Sequence, residues 1–214
     1  KLSFLKNSRI ISVAPNLNDT EENMAIMQLA GYKKRKKNSL RSILINLNQS
    51  EDQLRKGLNG KWRNQLKKSE NDGLQLEIGD SEVLHIWLMG KYKELMEKKS
   101  FVGPKIELYN DLHKFDKKSS IILQAWYKSS VVAGILISKH GNSCCYQVGW
   151  NSFEGRKINA NNFLLWNAIV EMKKQGYTSF DLGGINEDLT PGITKFKRGL
   201  GGDEYQLVGE WLSF

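Results

Sequence analysis

Apolar and polar residues alternate along the middle of the chain in three consecutive runs, Ile121 to Lys128, Val131 to Lys139 and Ser143 to Trp150. A period of two is typical of strands, and the short turns between these runs predict an antiparallel meander. Apolar residues at helical spacing occur on both sides of the meander. They predict three helices, over Ser81 to Lys98, Ile106 to Phe115 and Asn161 to Gln175.

Shorter patterns complete the region from residue 74 onward. Leu74 to Ile78 reads as a strand, Thr178 to Leu182 as a second short strand, and Tyr205 to Trp211 as a final one, with a short helix near Phe196. The predicted order is β-α-α-β-β-β-α-β-α-β. Such an order indicates an α/β (α+β) fold with a mixed, mostly antiparallel sheet flanked by helices.

The first part of the chain predicts a strand over Arg9 to Ala14, a helix over Glu21 to Ala30 and a strand over Ser42 to Leu47. Three elements are too few for a domain, so we expect residues 1–47 to be the end of a first domain. Ser50 and Gln53 form a capping-box pattern at the start of a long basic helix that ends near Asn71. Its apolar stripe recurs every four residues: Leu54, Leu58, Trp62 and Leu66. The predicted division is therefore 1–47, a linking helix over 48–73, and a complete domain over 74–214.

Charge and composition narrow the class of partner. The 214 residues are 40% hydrophobic and carry a formal net charge of +9, which favours a packed core and anionic partners such as nucleic acid, nucleotide-linked substrates or an acidic membrane surface. No apolar run reaches the ~18–20 residues of a membrane span. The two cysteines, Cys144 and Cys145, are adjacent and would point to opposite faces of a strand, which indicates reduced thiols. These features predict a cytoplasmic protein.

The stretch from Gly176 to Gly202 carries the candidate chemistry. A short strand runs into Gly183-Gly184, where the backbone can turn sharply and leave open space above it. Pro191-Gly192 then opens an amphipathic segment in which Phe196 would anchor the helix while Lys197 and Arg198 stay free. This arrangement suits an anionic or polarised group. The alternative is an ordinary glycine-rich loop with two solvated cations.

Several familiar constellations are absent from the sequence. There is no P-loop, no GxGxxG and no GxSxG motif. The three histidines, His85, His113 and His140, have no partner at metal-ligand spacing, so no metal site is predicted.

The element order from residue 74 resembles the GCN5-related N-acyltransferase (GNAT) fold, in which the fourth and fifth strands splay apart. Here the splay would lie between Cys145 to Val148 and Phe180 to Leu182. Members that use acetyl-CoA usually carry a glycine-rich loop after the fourth strand that cradles the pyrophosphate. The corresponding stretch here, Glu154 to Asn161, has one glycine, Gly155, which precedes its cation. Another acyl donor is therefore considered.

A second resemblance is more specific. Two segments resemble the C-terminal signature of the Fem-type peptidoglycan aminoacyltransferases: FDLGGIN (Phe180 to Asn186) and GITKFKRGLGG (Gly192 to Gly202). KWRNQLKKSENDGLQLEIG (Lys61 to Gly79) is similar to the basic helix and strand after the first domain of that family, and Ala14 to Lys34 to the end of that domain. YQVGW, with Tyr146 and Gly149, matches the fourth-strand pattern.

The Fem resemblance implies two GNAT-like domains and a reaction without a cofactor, in which aminoacyl-tRNA is the co-substrate. The amino acid would pass to the side-chain amine of the stem peptide in a nucleotide- or lipid-linked peptidoglycan precursor, which allows a peripheral contact with the inner face of the membrane. Lys197, with Phe196 beside it, would stabilise the oxyanion. Arg63 would bind precursor phosphate or carboxylate, and Tyr146, Gly183 and Gly184 would contact substrate.

Two other interpretations stay open. One is a GNAT-like N-acyltransferase that uses acyl-CoA or another activated donor on an envelope sugar or peptide. The other is a non-catalytic module that binds RNA or other anions through the basic helix and the basic turn KKRKK, residues 33–37.

Overall fold

The computed structural model describes residues 10–35 and 39–213 of the chain. Its main feature is a seven-stranded sheet, and a second, three-stranded sheet lies beside it. In spatial order the large sheet contains β4 (Gln75–Gly79), β5 (Ser120–Tyr127), β6 (Ser130–His140), β7 (Ser143–Asn151), β8 (Ser179–Asp181), β3 (Arg41–Asn46) and β9 (Asp203–Gln206). The pair β7–β8 is parallel and the other neighbouring pairs are antiparallel. The predicted mixed, mostly antiparallel sheet and its central meander are confirmed.

Helices cover both faces of this sheet. The bounds are α1 (Glu21–Leu29), α2 (Glu51–Gly57), α3 (Gly60–Asn71), α4 (Glu82–Lys99), α5 (Ile106–Phe115), α6 (Phe153–Lys157), α7 (Ala160–Lys174) and α8 (Pro191–Arg198). Neighbouring residues of one strand point to opposite faces. Ile122 accordingly packs with residues of α4 and α5, whereas Ile121 packs with residues of α3 and α7. We call the first side the α4/α5 face and the second the α3/α7 face.

The strand β3 lies inside the large sheet, between β8 and β9. Its inward residues Ile43 and Ile45 are buried in the same cluster as Leu66 of α3 and Phe180 of β8. Residues assigned by the sequence to a first domain and to a linking helix therefore share the sheet and core of residues 74–214. The division into domains stays a prediction.

The small sheet joins the two ends of the described chain. It contains β1 (Ile11–Val13), β10 (Trp211–Ser213) and β2 (Lys33–Lys34), with β10 in the middle and both pairs antiparallel. Of the predicted first strand, Arg9 lies outside the described residues. The same holds for Lys36 and Lys37 of the basic turn.

Two predicted elements are each divided in the structure. The long basic helix is two helices, because Leu58 is extended and Asn59 caps α3 by accepting a hydrogen bond from the Lys61 N–H. Ser50 and Gln53 do form the predicted capping box. The last strand is also two strands, because β9 pairs with β3 whereas β10 belongs to the small sheet. Gly209, at φ +84°, lies between them.

Candidate functional site

The site begins where β7 and β8 separate. The two strands are paired from Ser143 to Cys145 and from Ser179 to Asp181. Beyond that point β7 continues along β6 as far as Asn151, while the chain after β8 turns away. The predicted splay between the fourth and fifth strands of the domain is therefore present. It begins later than predicted, at Tyr146 and Leu182, because Cys145 still pairs with Asp181. Such a gap exposes backbone groups that a regular sheet would pair.

Gly183 makes the turn at the open end of the splay. Its φ is +72°, and a Cβ there would lie 2.6 Å from the carbonyl oxygen of Tyr146. Its N–H donates a 2.7 Å hydrogen bond to Oδ1 of Asp181. Gly184 is different, because its φ is not positive and a Cβ would meet only Leu40 Cδ1 at 3.4 Å and the Arg41 carbonyl at 4.0 Å. The first glycine of the predicted pair is thus required by the geometry and the second is not.

Lys197 of α8 reaches the splay from the side. Its Nζ donates a 2.8 Å hydrogen bond to the carbonyl of Gly184 and lies 5.6 Å from the centroid of the Tyr146 ring. The side chain is buried, which excludes the alternative of a solvated cation for Lys197. Burial lowers its pKa to about 8, although the charges of Cys145 and Asp181 act in the opposite direction. An ammonium has three donors, so it can also bind a substrate oxygen.

A hydrogen-bonded network holds the strand end beneath this lysine. Asp181 accepts hydrogen bonds from the Ser42 hydroxyl at 2.5 Å and from the Tyr205 hydroxyl. Burial and the bond to Asp181 raise the pKa of Tyr205, which keeps that hydroxyl protonated as a donor. The network joins β3, β8 and β9. The sequence analysis did not predict these residues as part of the site. The one signal that could have pointed to them is the carboxylate of Asp181, which stands shortly before the paired glycines.

Tyr146 and Cys145 form the β7 side of the splay. Tyr146 is half-buried, and its hydroxyl packs so closely over Gly149 that a Cβ there would overlap it. Burial raises the pKa of Tyr146 to about 12. Burial and the neighbouring Asp181 raise the pKa of Cys145 to about 12, so the group is a thiol at neutral pH. The carbonyl of Tyr146 borders the glycine turn, because a Cβ on Gly183 would lie 2.6 Å from it. The contact of Tyr146 with substrate stays a prediction.

Phe196 and Arg198 flank Lys197 and are both engaged. The Phe196 ring packs against the core, 6.0 Å from that of Trp62, as expected for an anchor of α8. Arg198 forms ion pairs with Glu187 and Glu204, so the prediction that it stays free was wrong. These pairs tie α8 to the preceding loop and to β9.

Arg63 is held by a separate set of contacts. Its guanidinium donates to the carbonyl of Leu58 at 2.9 Å and to that of Lys56 at 3.3 Å. Those carbonyls end α2, where a cation is favourable. The structure therefore gives Arg63 a capping contact, and its substrate role stays a prediction.

Gly155 is used for packing. A Cβ at this residue would lie 2.2 Å from Asn151 Oδ1 and 2.5 Å from the carbonyl oxygen of Val132. The single glycine of the stretch from Glu154 to Asn161 thus lets α6 approach β6 and β7 closely. Its role in the structure is this close approach.

Comparison with known proteins agrees with this geometry. Residues 116–212 match the FemAB family model. No curated protein sequence matches the chain. The crystal structure of FemX superposes with a TM-score of 0.80 at 14% identity, over 95% of this chain and 71% of that one.

Two further solved structures share the fold at lower similarity. The C-terminal domain of a putative lysylphosphatidylglycerol synthetase from Agrobacterium fabrum gives a TM-score of 0.59 at 12% identity, over 92% of this chain and 66% of that one. A GCN5-related glucosamine N-acetyltransferase region of a fungal β-N-acetylglucosaminidase gives 0.53 at 11% identity, over 94% of this chain and 24% of that one. The chain thus spans about two thirds of the synthetase domain. The predicted GNAT-like fold is confirmed.

Two searches within residues 10–35 and 39–213 were negative. In these ranges, no three His, Cys, Asp or Glu side chains are placed to hold a metal ion. None of the helices there combines the length and the apolar character needed to cross a bilayer.

Proposed function

We propose that this chain, whose residues 116–212 match the FemAB family model, transfers an aminoacyl group from aminoacyl-tRNA to an amine on the stem peptide of a peptidoglycan precursor. The observation that carries the proposal is the buried Lys197 ammonium at the splay of β7 and β8. A buried charge is costly unless it is paired, and such groups concentrate at functional sites.

The proposed reaction is attack of a neutral amine on the ester carbonyl that joins the amino acid to tRNA. The new C–N bond forms as the carbonyl oxygen becomes an oxyanion, and Lys197 stabilises that oxygen by donating a hydrogen bond. Collapse breaks the ester C–O bond, and the proton released by the amine ends on the departing ribose oxygen. With a pKa of about 8, Lys197 is mostly charged at neutral pH, as this role needs.

The remaining site residues have supporting roles in this proposal. Phe196 anchors the helix that carries the lysine, and the network around Asp181 keeps the end of β8 in place. Tyr146 and Gly183 line the space that the carbonyl would occupy. Arg63 is proposed to bind phosphate or carboxylate of a nucleotide- or lipid-linked precursor, with the protein in the cytoplasm and in peripheral contact with the membrane.

The acyl-CoA alternative receives less support from the structure. The pyrophosphate of acyl-CoA would need a cradle of backbone N–H groups after β7. The one glycine of that stretch, Gly155, has no free space where its side chain would be, because Asn151 and Val132 occupy it. A purely RNA-binding module could use exposed cations of α3 such as Lys61 and Lys67, but it would not account for a lysine buried inside a strand splay.

The test is mass spectrometry of a peptidoglycan precursor incubated with the full chain, a mixture of charged tRNAs and acetyl-CoA. A mass gain equal to an amino-acid residue is expected. A gain of an acetyl group, or no gain with any of the donors, would overturn the proposal.

A matched pair of variants tests the role of the lysine. Lys197→Met keeps a long unbranched side chain and removes its charge. Loss of one oxyanion donor should lower kcat about 10²–10³-fold. Lys195→Met alters an exposed lysine of the same helix and should change the rate by less than about threefold. Equal rates for the two variants would refute the assignment of Lys197.

A further inference from the structure

The outer side of α5 carries an apolar stripe. Leu108, Leu112 and Phe115 follow one another at intervals of four and three residues, which places them along one line of the helix. They are 52%, 48% and 92% exposed, whereas Tyr109 and His113 on the inner side of α5 are buried. Contiguous apolar surface of this kind marks interaction sites, so the outer side of α5 is a candidate docking surface.

Two cavities join this stripe to the loop that precedes α5. The first, of about 300 Å³, is lined in part by Leu108 and Leu112. The second, of about 530 Å³, is lined in part by the exposed side chains of Phe101 and Val102. Pro104 lines both cavities, so the loop and the stripe form one continuous surface. We call the following residues the α5 patch: Phe101, Val102, Leu108, Leu112 and Phe115.

Exposed lysines flank the α5 patch. Six of them lie between residues 98 and 118: Lys98, Lys99, Lys105, Lys114, Lys117 and Lys118. Within residues 10–35 and 39–213, none of the six forms an ion pair. The same stretch contains the carboxylates of Glu107, Asp111 and Asp116, so the lysines outnumber them two to one. Lys139 and His140 extend the basic rim, because they line the first cavity.

The first cavity also contains a donor without a partner. Tyr109 lines this cavity, and its buried hydroxyl has no hydrogen-bond partner among the described residues. Burial, with the neighbouring Tyr92 and Cys145, raises the pKa of Tyr109 to about 12, so the proton is retained. A buried hydroxyl without a partner costs folding free energy. The cavity therefore favours a guest that combines apolar groups with oxygen acceptors, as the chains and ester groups of a phospholipid do.

We propose that the α5 patch docks on a membrane surface that contains anionic phospholipids. The exposed side chains of the patch enter the headgroup region and the flanking lysines face lipid phosphates, as in helices that lie in the membrane interface. The inference rests on the peripheral membrane contact of the proposed function and gives that contact a surface. Tyr146 and Phe196 pack on the α3/α7 face, whereas Tyr109 of α5 packs on the α4/α5 face. Docking through α5 therefore leaves the reaction centre uncovered.

Two other occupants fit the α5 patch less well. A second copy related by two-fold symmetry would place each patch against its equivalent. The unpaired lysines of the two copies would then face like charges, which is unfavourable. The phosphate backbone of tRNA would pair with the lysines, but it would not cover the leucine side chains of the patch.

The experiment is flotation of the full chain with vesicles at about 0.1 M salt. The vesicles consist of phosphatidylcholine alone or of equal parts of phosphatidylcholine and phosphatidylglycerol. The anionic vesicles should bind the protein at least about tenfold more strongly than the neutral ones. Phe115→Gln changes an exposed side chain and should lower the partition coefficient on anionic vesicles at least about tenfold, because one aromatic ring no longer enters the lipid. Lys117→Gln combined with Lys118→Gln should also lower it at least about tenfold.

Matched variants on other surfaces are the controls. Phe153→Gln changes an exposed phenylalanine of α6. Lys61→Gln combined with Lys67→Gln removes two charges from exposed positions of α3. Both controls should keep the partition coefficient within about threefold of wild type, because charges far from the lipid are screened at this salt concentration.

The possible outcomes separate this inference from the proposed function. Equal losses in the Phe115 and Phe153 variants, or no binding to anionic vesicles, overturn the inference alone, since flotation uses no donor or acceptor. A dimer that dissociates on Phe115→Gln, or tRNA binding that this variant weakens, also overturns it and assigns the patch to a second copy or to nucleic acid. Binding to vesicles by a protein that transfers no amino acid would refute the proposed reaction and support the α5 patch.

Discussion

Replacement of Gly183 by alanine should damage both the stability and the site. A non-glycine residue in the left-handed region costs about 1–2 kcal/mol, and here the φ is +72°. The new methyl group would also lie 2.6 Å from the Tyr146 carbonyl oxygen, so β7 and the end of β8 would have to move apart. Together these effects should lower the free energy of unfolding by about 1–3 kcal/mol or more.

The same movement should disturb the reaction. Gly183 precedes the carbonyl that accepts the Lys197 hydrogen bond, so a shift of the turn moves the ammonium. A misplacement of about 1 Å can cost about 10²-fold in rate, and we expect a loss of that order in kcat/KM.

Gly184→Ala is the matched control. Its backbone is not in the left-handed region, and the added methyl would make an ordinary contact with Leu40. In urea unfolding, the free energy of unfolding of this variant should lie within about 0.5 kcal/mol of wild type. Its rate of aminoacyl transfer should lie within about threefold of wild type. If Gly183→Ala behaved like Gly184→Ala in both assays, the argument that the splay depends on this turn would be refuted.

Three other measurements address separate parts of the structure. If Lys197 acts as a cation, kcat/KM should rise with pH below about 8, because more of the acceptor amine is neutral, and should level off above about 8, the lowered pKa of Lys197, as Lys197 loses its proton. A kcat/KM that keeps rising between about pH 8 and pH 9 would instead identify a base. His113 stacks on His85 with centroids 4.3 Å apart, and burial followed by the charge of His85 lowers its pKa. The unfolded chain therefore takes up the proton at a higher pH than the folded chain, so the free energy of unfolding should fall as pH drops below about 6.5. Urea titrations should show a smaller fall between about pH 7 and pH 5 for His113→Leu than for wild type. Leu66 is 0% exposed, so Leu66→Ala should lower the free energy of unfolding by about 2–5 kcal/mol. Lys67→Ala, on the exposed side of α3, should lower it by under about 0.5 kcal/mol. Similar losses for the two variants would contradict the packing of α3.

The central fold could be predicted from sequence because its signals are local. Alternation from Ile121 to Trp150 with short turns leaves few arrangements other than a meander, and the helices around it have clear periodicity. The position of β3 could not be predicted in this way. Ser42 to Leu47 reads as a strand, but its pattern contains no information about which distant strands it pairs with.

The site was predicted in outline and missed in detail. The glycine turn and the anchor Phe196 follow from residue types, whereas the burial of Lys197 does not. In α8 the apolar Ile193 is 51% exposed while Thr194 and Lys197 are buried, which reverses the usual amphipathic assignment. A helix of two turns has too few positions for periodicity to define its inner face. Tertiary contacts with the splay decide that orientation.

The position of β3 also sets the order in which the protein can fold during synthesis. This strand leaves the ribosome before its partners β8 and β9, which lie far along the chain from it. At about 5–20 residues per second, the nascent chain carries the segment Ile43 to Ile45 without either neighbour for several seconds. Unpaired apolar strands of this kind are prone to association with other chains. The interleaved sheet therefore makes this protein a candidate for protection by a chaperone until β8 and β9 are made.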